Sequence, residues 1–201
     1  HHKHGLLDSF LGSFAQSILK GTHRQMMVVK CLMPVNTMRR LMVAVPPKAE
    51  FEAGFYKWVE RLARIGGQLG CRVHFWAHPD TILRINGYLK KFHGNVRVEF
   101  SPMDDWDDLL LMSSKVAYDH LVVIVSARKG AISYQSSFEE LPTQITKYFS
   151  NCSLMLIYPD QLGDPLENLT FSSPRGQSEN PIYDHVSKWV YKWVKKGEEQ
   201  G

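Results

Sequence analysis

The chain has 201 residues, 44% hydrophobic and 22% charged, with a formal net charge of +4. That composition excludes a disordered chain and leaves room for one substantial core with an appendage. Positive and negative side chains are interspersed, with no arginine and lysine stripe interleaved with aromatics, so no nucleic-acid partner is read from it.

No apolar run approaches the roughly 20 residues that a membrane-spanning helix needs, and no basic then apolar leader is present. The three cysteines, Cys31, Cys71 and Cys152, form no CxxC pair, which fits a reducing cytoplasm and makes "NLT" at 168–170 a glycosylation sequon by pattern only. The first methionine is Met26, so a segment of a longer polypeptide is expected.

In chain order, the first predicted elements are a helix over roughly 8–20 and the strand "MMVVK" at 26–30. Five further strand-like runs follow: "RLMVAV" (40–45), "CRVHFW" (71–76), "VRVEF" (96–100), "LVVIV" (121–125) and "SLMLIY" (153–158). Helix-period segments separate them. Phe51, Phe55, Trp58, Val59 and Leu62 share one face, as do Ile82, Ile85, Leu89 and Phe92; Trp106, Leu109 and Leu110 begin a third helix. Phe138, Leu141, Ile145 and Phe149 mark a fourth, starting near Ser137 or Pro142, because proline is tolerated in a first turn.

Near-continuous apolar strands alternating with helices predict a doubly wound α/β fold with a parallel five-stranded sheet. Cys71 and Cys152, at strand starts, read as small buried hydrophobes. Asp104, Asp105, Asp107 and Asp108 flank Trp106 near a helix start and read as caps. The segment "DQLGDPLENLTFSSPRGQSENP" is a loop, and Val186, Trp189, Val190, Trp193 and Val194 form the stripe of a C-terminal amphipathic helix with Lys188, Lys192, Lys195 and Lys196 off it.

The opening residues repeat the end of the complete unit. "KHGLLDSFLGSFAQSILKGTHRQMMVV" runs alongside "RKGAISYQSSFEELPTQITKYFSNCSLMLI", with Gly5 facing Gly130 and Met26–Val29 facing Leu154–Ile157 after a short insertion. Residues 1–35 therefore read as the closing helix and strand of a first, incomplete domain. Residues 36–160 are a complete domain, and residues 161–201 are a loop and helix.

With its "GS" helix start and final strand, "GSFAQSILKGTHRQMMVV" resembles the universal stress protein family, a fold of the adenine nucleotide alpha hydrolase type. Within that family, "NTMRRLMVAVPPKAEFEAGFYKW" (36–58), "SARKGAISYQSSFEELPTQITKYF" and "LMLIYPDQ" are similar to the cytosolic C-terminal region of bacterial sodium or potassium:proton antiporters. The resemblance implies strand order 3-2-1-4-5. It also implies that strand 26–30 covers a sheet edge antiparallel to 153–158, as the last strands meet in family dimers. It implies a non-catalytic regulatory or assembly domain on the cytoplasmic face of the bacterial inner membrane. The transmembrane part of the same polypeptide would be its partner, and the domain a homodimer.

Nucleotide-binding relatives place an acid after the first strand and a G-x-x-G loop after the fourth, where backbone N–H groups meet phosphates at a helix start. Here Pro46 and Pro47 stand in the acid's place, and proline donates no N–H. After the fourth strand, Ser126, Arg128, Lys129 and Gly130 are the candidate anion or regulatory-ligand loop, alongside Gly5, Gly12 and Ser13 from the partial copy. A nucleotide effector and a free-standing ATP-binding stress protein stay open as the alternative.

No nucleophile, base and acid pattern is present, so no enzyme activity is read, and no phosphate or flavin loop favours one. His1, His2, His4 and His23 have no carboxylate or cysteine at a ligand spacing, so no metal is assigned. Trp189, Trp193, Lys192 and Lys195 are the candidate face toward a partner or the membrane surface.

Overall fold

The computed structural model describes residue 18 and residues 21–162. Ile18 and Gly21 are helical; the rest of the helix predicted over 8–20, and the C-terminal helix, lie outside the described residues.

Six strands form one sheet: β1 (Met26–Lys30), β2 (Arg40–Ala44), β3 (Arg72–Ala77), β4 (Val98–Pro102), β5 (His120–Val125) and β6 (Ser153–Tyr158). Their order is β1-β6-β5-β2-β3-β4. From β2 onward all neighbours are parallel, and β1 alone runs antiparallel, beside β6. The five strands of the complete unit thus follow the expected order 3-2-1-4-5, and β1 closes the edge as expected. The architecture is α/β, with a mostly parallel sheet between helices, in the manner of a Rossmann-like fold.

Four helices are described: α1 (Phe55–Leu69), α2 (Pro79–Phe92), α3 (Leu109–Ser113) and α4 (Leu141–Tyr148). The first two cover one face, where Phe55, Trp58, Leu62, Ile85 and Leu89 pack against Leu41, Val43, Phe75, Val123 and Ile157. The other two cover the opposite face, where Trp106, Leu109, Met112, Phe138, Ile145 and Phe149 meet Met42, Val122, Ile124 and Leu156. Because a strand's successive side chains alternate faces, a strand covered on both sides must be apolar throughout. β6 is buried along its whole length.

Several expectations need correction. Phe51 does not join the buried face of α1: it sits in a 3-10 turn (Ala49–Phe51) and is 64% exposed, because the helix begins only after Gly54. Leu110 and Phe92 are exposed too, each at the rim of its helix. α3 is a short helix led by a 3-10 turn, and there Asp105 and Asp108 form a capping box. β3 and β4 begin one and two residues later than their apolar runs. Cys71 is buried, whereas Cys152 is only partly so.

One ionic cluster ties α1 to α2. Glu60 accepts hydrogen bonds from Tyr88 at 2.6 Å and from Arg64 at 2.6 Å, and it also pairs with His93. Burial alone would raise the Glu60 carboxyl, but the bonds from Tyr88, His93 and Arg64 outweigh it and hold the group at about 2, against an ordinary 4.5. A carboxyl lowered in the folded state contributes stability above its unfolded pKa and loses it as pH falls through the folded value. Glu60→Gln is therefore expected to cost about 2 kcal/mol at neutral pH, allowing for partial solvent screening. The deficit should shrink from pH 4.5 toward pH 2. Melting of both proteins across that range checks it, and a deficit that stays constant with pH would count against the clamp.

Candidate functional site

In doubly wound sheets ligands bind outside the carboxyl ends of the strands, where the strand order reverses. Here that point lies between β2 and β5, flanked by the loop Val45–Gly54 and the loop that begins at Ser126.

The first loop leaves β2 through Pro46 and Pro47, then turns at Lys48, whose φ of 67° is left-handed. The turn delivers two carboxylates that the sequence reading missed. Glu50 accepts the Thr81 hydroxyl at 2.6 Å. Glu52 accepts both the N–H and the hydroxyl of Ser133, at 2.9 and 2.8 Å. The acid absent directly after β2 thus arrives a few residues later, and it spans the crevice to the opposite loop.

That opposite loop holds four predicted residues. Ser126 is buried, and its N–H donates to the Ile157 carbonyl at 2.8 Å, extending the sheet. Arg128 donates to the Arg24 carbonyl at 2.9 Å. Burial lowers the Arg128 guanidinium, opposed by Tyr158 and Asp160. Lys129 is exposed and pairs with Glu139 at 2.9 Å, an ion pair that raises the lysine. Gly130 has a φ of 89°, a left-handed turn where a side chain would be strained. Gly5, Gly12, Ser13, Trp189, Trp193, Lys192 and Lys195 lie outside the described residues.

Asp160, just past β6, was also missed. Its carboxylate is fully buried and accepts Lys57 at 2.6 Å and the Leu162 N–H at 2.9 Å, with Arg24 at 3.8 Å. Burial pushes the group up, but these partners outweigh burial and hold it below the ordinary range. The only sequence signal was an acid directly after the last strand.

Beside the crevice, at the ends of β2 and β3, lies a hollow of about 650 Å³ lined by Lys48, Glu50, Phe51, His78, Leu83 and Arg84, among others. Exposed Phe51 and Leu83 give it apolar walls, and its charges are mixed.

Across β3 and β4, Ser101 Oγ lies 2.8 Å from His74 Nε2, and Glu99 lies 3.6 Å from His74 Nδ1. This superficially resembles a Ser, His and acid set. Arg40, however, donates to Nδ1 at 3.3 Å and to Glu99 at 2.7 Å. Burial lowers His74 and favours its neutral form. With Nδ1 accepting, Nε2 carries the proton and donates to Ser101, so the ring supplies no base for that hydroxyl.

Among the described residues, no group of three or more His, Cys, Asp or Glu side chains is placed to hold a metal ion, and no helix is long and apolar enough to cross a membrane. No family model matches this chain, and no curated protein matches it. Fold and geometry therefore define the class: an α/β domain with a six-stranded, mostly parallel sheet.

Proposed function

We propose that the chain is a non-catalytic regulatory and assembly domain of the universal stress protein type, on the cytosolic side of a bacterial sodium or potassium:proton antiporter. Ions would pass through the transmembrane part of that polypeptide, and this domain would bias it between states by differential contacts. The observation that carries the reading is the Glu52 bridge. Backbone and hydroxyl donors of the loop after β5, which would face an anion in a nucleotide-binding relative, are taken by the chain's own carboxylate. A crevice closed by a fixed negative charge disfavours phosphate and suits a scaffold.

The test is cation:proton exchange in proteoliposomes by an antiporter carrying this domain, compared with the same antiporter lacking it. Retained exchange with a changed pH or cation dependence is expected; identical profiles would sink the regulatory role.

A second reading is favoured by the hollow near Phe51. Its volume is that of a small-molecule site, and a nucleotide or related effector would make the domain a sensor. Thermal melting with and without millimolar ATP, ADP and AMP separates the two, because a ligand bound only to the folded state raises its stability. No shift is expected for the native chain, and a saturable one would favour the sensor.

A further inference from the structure

The hollow beside the crevice is walled by two elements. The turn after β2 supplies Pro47, Lys48 and Phe51, and the first turns of α2 supply Asp80, Leu83 and Arg84, which share one helix face by their spacing. Phe51 is 64% exposed and Leu83 is 70% exposed. Both line the same concavity, so an apolar body seated there would take both out of water.

The charged groups of the hollow differ in what holds them. Glu50 accepts the Thr81 hydroxyl at 2.6 Å. Asp80 stands in the first turn of α2, where negative charge meets the positive end of the helix, and it lies 3.7 Å from His78 Nδ1. Lys48 and Arg84, by contrast, are paired with no carboxylate among the described residues.

The backbone at Lys48 is a second, independent observation. Its φ of 67° makes it the one non-glycine residue in the left-handed region among the described residues, a conformation unfavourable for any residue with a Cβ. Glycine would hold the same turn without strain. A strained residue that glycine could replace points to a use for its side chain, and this side chain lines the hollow.

The chemistry of the occupant follows from what is offered. Phosphates are held by successive backbone N–H groups, but Pro46 and Pro47 have none and the Ser133 N–H is taken by Glu52. A dianion would also meet Glu50 and Asp80. Two side-chain cations with apolar walls match a single carboxylate on an apolar body.

We propose that the hollow binds a small carboxylic acid, its carboxylate held by Lys48 and Arg84 and its aromatic or aliphatic body laid against Phe51 and Leu83. The proposal rests on the second reading above only in taking the hollow for a small-molecule site. It puts a monocarboxylate in place of the nucleotide and does not depend on the transport assignment.

Thermal melting of the 201-residue chain tests it, with millimolar phenylacetate, indole-3-acetate and octanoate, and with phenylacetamide, which has the same body without the charge. A saturable rise with at least one acid and none with the amide is expected. No rise with any acid, or equal rises with phenylacetate and its amide, would overturn the proposal. Lys48→Gln should weaken acid binding at least about fivefold. Phe51→Ala should weaken it by about as much, with the melting temperature of the free protein unchanged. Lys48→Gly should raise that temperature while losing the same affinity; a lower one would show that Lys48 is held for folding and would count against the proposal. A rise with AMP and none with the acids would end the carboxylate assignment and leave the small-molecule reading standing, whereas no rise with either class would remove both.

Discussion

Alanine in place of Gly54 is expected to destabilise the domain by about 3 kcal/mol, the upper part of the range for forcing extra atoms into a packed site. The backbone at Gly54, with φ −91° and ψ 12°, is open to any residue, so conformational strain is not the cause. The cause is proximity: a Cβ there would sit 2.5 Å from both the backbone nitrogen and the carbonyl oxygen of Asp160. Those atoms belong to main chain at the end of β6 and cannot swing aside as a flexible side chain could. Melting should fall by roughly 6–12 °C for a domain of this size. Gly87, in the exposed middle of α2, has nothing within 4 Å of its added Cβ. Gly87→Ala should therefore stabilise by about 0.5–1 kcal/mol, the helix propensity gain. A Gly54→Ala protein that melts with the native one would refute the close approach.

Asp160→Asn is expected to cost about 2–3 kcal/mol, because it breaks a paired buried charge while keeping its shape. The buried carboxylate holds Lys57 and the Leu162 N–H. Lys57 remains 31% exposed, so its ammonium can turn to water, which keeps the loss below that of a wholly buried pair. The folded carboxyl is lowered from 3.8, so its contribution is present above that pH and is lost as pH falls below it. Native and variant proteins should therefore converge in stability in acid. Denaturant titrations at neutral pH and at the lowest pH where both fold measure this, and a gap that persists in acid would assign the loss to packing rather than charge.

The layout of the sheet was legible because buried strands carry an unbroken run of apolar residues. "LVVIV" and "SLMLIY" could not serve a solvent-facing element. Strand ends were less legible: His120 and Pro102 sit on the ladder although their chemistry suggests loops. Phe51 kept the helical spacing of its neighbours yet lies before Gly54, where the chain is still turning, and spacing alone carries no record of that. The loop of Ser126, Arg128, Lys129 and Gly130 was found because it follows a strand. The bridges from Glu52 to Ser133 and from Lys57 to Asp160 were not, since each joins residues brought together only by the crossover connections.

The two margins of the sheet are unlike in a way that bears on stoichiometry. β4, the far margin, ends in Pro102, whose nitrogen has no hydrogen to give, and carries Glu99 neutralised by Arg40 and Arg72. Such a strand is poorly suited to recruiting a neighbour. Among the described residues, the β1 margin is thus the better suited to backbone pairing. A sheet with one receptive margin cannot lengthen from both sides, so a strand added beside β1 would end its growth rather than begin a fibre.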